Sequence, residues 1–271
     1  MSTVEIQARS PGAALSQMQK VAICVLTYGE YPHLARRAID SIRHCCPRAE
    51  YQLVVGANAV CDETLAYLEK LTAAGEVNHL IASPVNVNKC PMMRRMFERA
   101  DSEFIWWFDD DSCITEPRAW SEWVGGAQSS PSSTAMWGEL YRCNTPGDFT
   151  DLDDVVAFVR RASWYRGLPP PSWRLGGKGE FNFENRNCGD GRWDFIVGGC
   201  WLIRTSAVRA LDWPDRRLVK LGDDVLLGEA IRQQGWELGN IGSPGVAINT
   251  EKRRGNPGSS RRCVLPDNAH V

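Results

Sequence analysis

"FIWWFDDDSC", residues 104–113, places a largely apolar run directly before three consecutive aspartates. Together with Glu103, the apolar run predicts a buried strand over residues 103–108. Carboxylates this close together repel one another and raise each other's pKa unless a positive charge lies among them. A divalent cation is the simplest such charge, so the end of this strand is predicted to be a ligand site.

Strands and helices alternate along the first part of the chain. Three further buried strands are predicted at 21–27, 51–55 and 79–83. Helices are predicted between them at 33–45, at 62–74 and in a segment that Pro91 opens. This order predicts an α/β fold with a mostly parallel central sheet and helices on both faces. The methionines of the third helix are interpreted as core residues rather than as a cofactor-binding group.

The composition indicates a globular protein without a strong charge bias. The chain has 271 residues, a net charge of −2 and a sequence pI of about 6.1. These values give no global attraction to nucleic acid or to anionic membranes, although a local basic patch stays open. No apolar stretch has the length of a signal peptide or a membrane span, so we expect no integral membrane association and a cytoplasmic location. Ten cysteines without a C-x-x-C pair indicate reduced, small core residues.

The aspartate triplet is expected at the edge of the sheet where ligands bind. In parallel α/β sheets, loops and helix N-termini converge beyond the carboxyl ends of the strands. Asp109, Asp110 and Asp111 follow the fourth predicted strand and therefore belong to that edge. The alternative is a solvated turn in which Asp110 or Asp111 caps a short helix near Pro117, which explains one aspartate but not three.

Four segments in this order give the sequence a specific resemblance to a known family. They are VAICVLTYGE (21–30), YQLVVGANAVCDET (51–64), NVNKCPMMRR (86–95) and FIWWFDDDS (104–112). Together they resemble the nucleotide-sugar-binding half of a GT-A glycosyltransferase, most like the inverting enzymes of family 2. The resemblance implies a Rossmann-like GT-A fold with an acceptor-binding part in its C-terminal half.

The resemblance also implies a set of donor-binding and metal-binding residues. The turn after the first strand would hold the nucleotide through Thr27, Tyr28, Gly29 and Glu30. A basic residue of the third helix, Lys89 or Arg94, would lie near the diphosphate or the base. The D-x-D motif corresponds to Asp109 and Asp111, with Asp110 between them counted in the donor site. Asp111, with Asp109, would bind the Mn²⁺ or Mg²⁺ ion that bridges the diphosphate.

One departure from the family leaves the donor nucleotide open. Family members end the second strand with an acidic pair that contacts the base, whereas this chain has Gly56, Ala57 and Asn58. The amide of Asn58 offers a base both a hydrogen-bond donor and an acceptor. A UDP-sugar is the expected donor.

The segment WDFIVGGCWLIR (193–204) predicts a strand interrupted by Gly198 and Gly199. Such glycines mark a place where a backbone or a ligand approaches closely, and an ordinary β-bulge is the alternative. The family resemblance favours the first interpretation, with the glycines beneath the donor sugar.

The segment KLGDDVLLGEAIRQQGW (220–236) predicts a helix that begins with Asp223 and Asp224. Acidic residues in a first turn are also favoured by the helix dipole, so ordinary capping is the alternative. In the inverting enzymes that the chain resembles, a matching acidic segment supplies the general base. The resemblance therefore implies that Asp224 is the base, with Asp223 supporting it or contacting the acceptor.

Two segments lack a periodic pattern. Residues 164–193 are rich in Gly, Pro and Asn and predict a functional loop or lid, in which Trp164, Trp173 and Trp193 either stack on a sugar or base or pin the loop to the core. The second segment is the basic tail at 251–271. It is interpreted either as a solvated segment or as a loop that clamps the donor diphosphate. Asn249 stands where many GT-A enzymes place a metal-binding histidine.

These observations predict a flexible segment at 1–19, one GT-A domain at 20–250 and a basic tail at 251–271. Within the domain, 20–115 would bind the nucleotide-sugar and 116–250 the acceptor. The expected reaction is metal-assisted transfer of a sugar to a hydroxyl group, with inversion. The alternatives are a catalytically silent module that binds nucleotide-sugar or glycan, and a sugar nucleotidyltransferase, whose Gly-rich loop the segment LTYGEYPHLARR does not supply. The acceptor stays open among a glycan, a lipid carrier, a protein, a small metabolite and a modified nucleic acid.

Overall fold

The computed structural model describes residues 4–7, 19–143, 152–168, 193–219 and 223–248. Its strands are β1 (Val4–Gln7), β2 (Val21–Gly29), β3 (Tyr51–Val60), β4 (His79–Ser83), β5 (Phe104–Asp109), β6 (Cys113–Ile114), β7 (Thr134–Gly138), β8 (Leu140–Cys143), β9 (Trp193–Ile196), β10 (Cys200–Arg204), β11 (Glu237–Asn240) and β12 (Val246–Ala247). Its α-helices are α1 (Pro32–Cys45), α2 (Asp62–Ala73), α3 (Lys89–Phe97), α4 (Arg118–Trp120), α5 (Gly126–Ser129), α6 (Leu152–Arg160), α7 (Thr205–Leu211) and α8 (Asp223–Gln233). A 3₁₀ turn at Arg48–Glu50 precedes β3, and a π-helical turn at Ser121–Gly125 joins α4 to α5.

The central sheet has the mainly parallel character that the sequence predicts. Its strand order is β1-β4-β3-β2-β5-β10-β7-β11. The four strands β4, β3, β2 and β5 are parallel neighbours, and β11 pairs in parallel with β7. In the described part of the chain, β1 and β10 run against the others. Two short ribbons, β6 with β12 and β8 with β9, lie outside the sheet.

Helices cover both faces of the sheet because the central strands are apolar on both sides. Along β2, Ala22 and Cys24 belong to one buried cluster, whereas Ile23 and Val25 belong to the other. Helices α3, α6, α7 and α8 contribute to the first cluster, and α1 and α2 to the second. The methionines of α3 are fully buried in the first cluster, as predicted. The cysteines in the described residues form no disulfide, and most are buried.

The structure corrects three details of the predicted organisation. Helix α3 begins at Lys89 rather than at Pro91, since proline is tolerated in a first helical turn. Residues 193–204 form two strands of different sheets, with the glycines in the turn between them, rather than one interrupted strand. Residues 4–7 of the segment expected to be flexible pair with β4 at the sheet edge.

Other predictions concern residues that the structure does not describe. These are most of 1–19, the loop centre 169–192 with Trp173, and the tail 251–271 with the preceding Asn249. Among the residues that are described, no helix has the length and apolar character of a membrane span.

Candidate active site

The predicted site residues meet at one edge of the sheet because of the strand directions. Strands β2 to β5 are parallel, so their carboxyl ends lie together at this edge. Helix α3 follows β4 and therefore starts there. Strand β10 is antiparallel to β5, with Cys200 opposite Phe108, which brings the preceding turn at 197–199 to the same edge.

Asp109 is held by protein groups at both carboxylate oxygens. Its Oδ1 accepts a hydrogen bond from the indole Nε1 of Trp107 at 3.0 Å, and its Oδ2 lies 3.3 Å from the Lys89 ammonium. Its backbone amide donates to the carbonyl of Gly199 at 2.9 Å. Burial raises the pKa of Asp109, and the Lys89 charge offsets part of that rise. The position of the Asp109 side chain is therefore fixed by Trp107 and Lys89.

Asp110 has a different role from its neighbours. It is 1% exposed, and its Oδ2 accepts a hydrogen bond from the backbone amide of Tyr28 at 3.1 Å. This contact ties the end of β2 to the end of β5. This contact shapes the edge, and the donor contact expected of Asp110 stays a prediction.

Asp111 is half-buried and lies one residue beyond Asp110 in the turn after β5. Burial and the neighbouring charge of Asp109 raise its pKa to about 6, although Lys89 and Arg37 act in the opposite direction. Arg37 lies on α1, and no sequence pattern indicates its influence on Asp111. A carboxylate in this position favours a nearby positive charge.

Lys89 lies at the centre of the charged cluster. Its Nζ is 3.3 Å from Oδ2 of Asp109 and 3.3 Å from Oδ2 of Asp223, and it donates to the carbonyl of Gly198 at 3.4 Å. Burial disfavours the ammonium, but the carboxylates of Asp109, Asp223 and Asp224 outweigh that effect and raise the Lys89 pKa. Lys89 is therefore a permanent cation.

The two aspartates that begin α8 differ in their surroundings. The Asp223 side chain is 8% exposed and forms an ion pair with Lys89. Asp224 is half-buried, and its Oδ1 accepts the backbone amide of Val225 at 2.8 Å. A Cβ atom at Gly198 would lie 3.2 Å from Oδ2 of Asp224. The missing side chain at Gly198 thus gives the Asp224 carboxylate its room.

The turn before β10 is fastened to the aspartate segment. The carbonyl of Gly199 accepts both the amide of Asp109 at 2.9 Å and the hydroxyl of Ser112 at 3.0 Å. Ser112 is fully buried. Gly198 and Gly199 therefore fix the distance between the end of β5 and the start of α8, and neither interrupts a strand.

The turn after β2 is only partly open to a ligand. Thr27 is fully buried, and its hydroxyl donates to the carbonyl of Gly56 at 3.0 Å. Gly29 has a positive φ of 71°, a conformation that favours glycine. Tyr28 is half-buried and Glu30 is exposed. Of these four predicted donor residues, Thr27 stabilises the sheet and the other three border the edge.

Asn58 holds a loop of the protein, and the base contact expected from the sequence stays a prediction. It is 2% exposed; its amide oxygen accepts the Val87 amide at 2.9 Å, and its Nδ2 donates to Asn86 at 3.0 Å. Asn86 also accepts the amide of Asn88 at 2.7 Å. This network shapes the loop that leads into Lys89.

Arg94 is engaged elsewhere. Its guanidinium forms an ion pair with Asp212 at 2.8 Å and donates to the carbonyls of Asp212 and Pro214. It therefore ties α3 to the segment after α7. Of the two basic residues that the sequence offered for the donor, Lys89 is the one in the carboxylate cluster.

Comparison with known proteins identifies the family of the chain that carries this site. Residues 22–212 match the family described as Glycosyl transferase family 2. The chain belongs to glycosyl transferase family 2. The match covers β2 to α7 and stops before α8. No curated protein sequence matches the chain.

A solved mannosyltransferase structure agrees with this assignment at the level of the fold. The mannosyltransferase PcManGT from Pyrobaculum calidifontis, in complex with GDP-Man and Mn²⁺, superposes with a TM-score of 0.54 at 15% identity, over 82% of this chain and 55% of that one. TarS 1-349 from S. aureus gives a TM-score of 0.47 at 16% identity, over 79% and 55% of the two chains. The same fragment in complex with UDP gives 0.47 at 16% identity, over 79% and 56%. This family 2 chain thus spans little more than half the length of these solved chains.

Several contacts of this family 2 site had no signal in the sequence. Trp107 lies inside the apolar run of β5, and nothing in that pattern shows that its indole binds Asp109. Trp164 and Trp193 are 1% and 2% exposed, which fits the alternative that they pin the loop ends to the core. Asp223 was expected beside the base, but its pairing with Lys89 depends on the approach of α3 and α8.

The residues present fit a divalent metal that is held by one protein carboxylate together with substrate phosphates and water. Among the described residues, no three side chains of the His, Cys, Asp and Glu types are grouped closely enough to hold an ion. Asp109 is bound by Lys89 and Trp107, which leaves Asp111 as the fitting carboxylate of the D-x-D pair. Mg²⁺ is commonly held by one or two carboxylates together with substrate phosphates and water, and such a site needs no third side chain.

Proposed function

We propose that this protein transfers a sugar from a nucleotide-sugar to an acceptor hydroxyl by a single displacement with inversion. The observation that supports it is the link between two distant acidic pairs, because Lys89 lies 3.3 Å from both Asp109 and Asp223. Asp224 follows Asp223 and packs against Gly198. A donor-side carboxylate and a candidate base therefore border the same edge.

Asp224 is the general base in this proposal. An acceptor hydroxyl has a high pKa, so a carboxylate that takes its proton during attack on the anomeric carbon lowers the barrier. The alignment of the hydroxyl with the departing diphosphate contributes as well. Asp223 is unsuited to this role, because its carboxylate is buried and paired with Lys89.

The donor nucleotide is proposed to lie along the end of β2. Tyr28 and Gly29 border this position, and Asp110 fixes the backbone there through the amide of Tyr28. Glu30 is exposed beside it. Asp111 would hold an Mn²⁺ or Mg²⁺ ion, with the diphosphate and water as further ligands. Such an ion neutralises the charge that develops on a diphosphate leaving group.

The donor base is proposed from the ligands of two solved structures and from the residues at the end of β3. Two of the solved chains with this fold were obtained with GDP-Man and with UDP. Where family members have the acidic pair, this chain has Gly56, Ala57 and Asn58, and the amide of Asn58 binds the loop at 86–87. We propose a UDP-sugar as the first candidate and a GDP-sugar as the second.

The first test is calorimetric binding of nucleoside diphosphates and nucleotide-sugars, with and without Mn²⁺, to the wild type and to Asp111→Asn. We expect metal-dependent binding of one nucleotide that is lost in Asp111→Asn. Asp101→Asn is the matched control, since Asp101 is an exposed aspartate before β5, at the opposite edge of the sheet. Absence of binding under every condition would mean that the aspartates are structural.

Asp224→Asn distinguishes an enzyme from a silent binding module. Removal of a general base lowers turnover by a factor on the order of 10² to 10⁴ while donor affinity is kept. The measurement is release of nucleoside diphosphate from the donor identified by calorimetry, with Asp101→Asn as control. Equal turnover of wild type and Asp224→Asn would support the silent module. NMR assignment of the product anomer then tests inversion.

A further inference from the structure

The Lys89 ammonium connects four parts of the chain that are far apart in sequence. It belongs to the first residue of α3 and contacts Asp109 at the end of β5, Asp223 at the start of α8, and the carbonyl of Gly198 in the turn before β10. The Trp107 ring centroid lies 5.8 Å from its Nζ. A second contact runs in parallel, because the amide of Cys90 donates to the carbonyl of Val219 at 3.3 Å, just before α8.

The burial of these groups makes the connection difficult to break. The side chains of Lys89, Asp109 and Asp223 are 20%, 25% and 8% exposed. Asp109 is further immobilised by the indole of Trp107. Removing the ammonium would leave the Asp223 carboxylate buried without its cation and next to Asp224, which is unfavourable for both charges.

The same contacts argue against direct binding of the donor diphosphate by Lys89. Its three polar contacts are all to groups of the protein itself. They are Asp109 at the end of β5, Asp223 at the start of α8 and the carbonyl of Gly198. An ammonium has three donors, and these contacts account for three acceptors. A diphosphate would have to displace at least one of them.

We propose that Lys89 is a positioning residue, which holds the first turn of α8, and with it Asp224, at a fixed distance from the end of β5. In naming Asp224 as the group that is positioned, the inference rests on the proposed function. It also assigns Asp223 its task as the anchor that receives Lys89. The basic residue expected at the diphosphate thereby becomes part of the scaffold of the general base.

The test combines hydrogen exchange with kinetics for Lys89→Met, Lys89→Arg and Asp223→Asn. Amides 227–230 close the first turn of α8, and we expect them to exchange faster in Lys89→Met, while amides of β3 keep the wild-type rate. Turnover should fall by about 100-fold, since a misplacement of about 1 Å costs that much. Affinity for the nucleoside diphosphate should stay within about threefold of wild type. Lys89→Arg, which keeps the charge, should recover part of both effects.

Two comparisons make the result specific. Lys70→Met removes an exposed lysine of α2 and should change none of the readouts. The double variant Lys89→Met/Asp223→Asn should lose little more turnover than either single variant, because both remove the same contact. If Lys89→Met does not fold, the exchange of amides 227–230 is measured in Asp223→Asn alone, where it should also be faster than in the wild type.

The outcomes separate this inference from the proposed function. Unchanged exchange in α8 combined with lost nucleotide affinity would make Lys89 a donor ligand and overturn the inference. Unchanged exchange and unchanged turnover would overturn it as well. If the wild type binds and turns over no nucleotide-sugar, the proposed function fails, and the exchange data alone decide whether Lys89 holds α8.

Discussion

At the scale of single residues, the three aspartates of the triplet are distinguished by their partners. Asp109 is fixed by Trp107 and Lys89, Asp110 is buried against the amide of Tyr28, and Asp111 is the half-buried member with a pKa of about 6. Asp109 and Asp110 are each stabilised by a donor or cation of the protein, whereas the pKa of Asp111 is raised by burial and by the charge of Asp109. Ligand binding is therefore expected to depend mainly on the third.

Gly198 provides a steric test of the position of Asp224. A methyl group at this residue would lie 3.2 Å from Oδ2 of Asp224, so the carboxylate must shift by a few tenths of an ångström. We expect Gly198→Ala to lower kcat roughly tenfold with little change in nucleotide affinity, because a general base acts only at short range. Steady-state kinetics with the identified donor provide the measurement.

The matched control for this substitution is Gly126→Ala. Gly126 is helical, and a Cβ atom there meets no other atom within 4 Å. Alanine at such a site is neutral or slightly stabilising. Wild-type kcat in Gly198→Ala would contradict the role given to Asp224.

Asp215 gives the fold a defined sensitivity to acid. Burial tends to raise its pKa, but the guanidinium of Arg217, at 2.9 and 2.6 Å from its two oxygens, outweighs burial and lowers the pKa below 3.8. A carboxyl with a depressed folded pKa stabilises the protein above its unfolded pKa and loses this contribution as the pH falls through the folded value. The free energy of unfolding of the wild type, minus that of Asp215→Asn, should be constant above about pH 5 and shrink below about pH 4. Denaturant titrations across this range measure it, and a difference that grows towards low pH would contradict the assignment.

At the scale of elements, α8 depends on close packing against β9. A Cβ atom at Gly228 would lie 2.3 Å from the carbonyl oxygen of Asp194 and 3.1 Å from Cα of Phe195. Both contacts are with backbone, which cannot yield without moving the strand. Helix α8 carries Asp223 and Asp224 in its first turn, so this packing also sets the position of the candidate base.

Gly228→Ala should therefore affect stability and activity together. Overpacking of this kind costs about 1–3 kcal/mol of unfolding free energy, despite the better helix propensity of alanine. We also expect turnover to fall, since the helix must move away from β9. Urea unfolding and donor turnover are the two measurements, with Gly125→Ala, which meets no atom within 4 Å, as the control. A stabilised and fully active Gly228→Ala protein would show that α8 does not need this close approach.

At the scale of the whole molecule, the two halves of the chain share one sheet. Strand β5 from the first half pairs with β10 from the second over Phe104–Phe108 and Cys200–Arg204. Both buried clusters contain residues from the two halves, such as Trp107 with Trp201 in one and Trp106 with Trp137 in the other. The predicted donor and acceptor halves are therefore expected to unfold as one unit.

This expectation is testable by equilibrium unfolding. Tryptophan fluorescence and far-UV circular dichroism should give coincident transitions, because no half can lose its packing while the other keeps it. Two separated transitions would contradict the single domain predicted for residues 20–250. The same experiment on Lys89→Met shows whether the link between α3 and α8 contributes to this cooperativity.

The fold was largely predictable because its signals are local. The apolar runs of β2 to β5 and the periodic helices between them are read from neighbouring residues, and they fixed the parallel part of the sheet. A strand over 193–204 was predicted, but its split into two strands and the antiparallel direction of β10 were not. A glycine pair permits either a bulge or a turn, and only the pairing of β10 with β5 decides between them.

The location of the site was predictable from the sequence, but the contacts of its individual residues were not. Strand ends and helix starts are visible in the sequence, and they correctly brought Asp109, Asp111 and Lys89 to one edge. The roles of Arg94 and Asn58 were not visible, because their partners, Asp212 and the loop at 86–87, lie 118 and 28–29 residues away. A side chain with donors can serve a ligand or the protein itself, and sequence pattern does not distinguish the two.

By itself, the sequence determined the alternation of strands and helices, the family and the sheet edge at which the acidic residues lie. Each of these follows from short-range apolar periodicity or from the order of short motifs. The tertiary structure alone decided which aspartate is buried, which is paired and which is half-buried, and that Lys89 joins Asp109 to Asp223. The physical reason is that a carboxylate acquires its charge state and its role from the groups packed around it. Here those groups come from α3, β5, the turn before β10 and α8, which meet only in the folded chain.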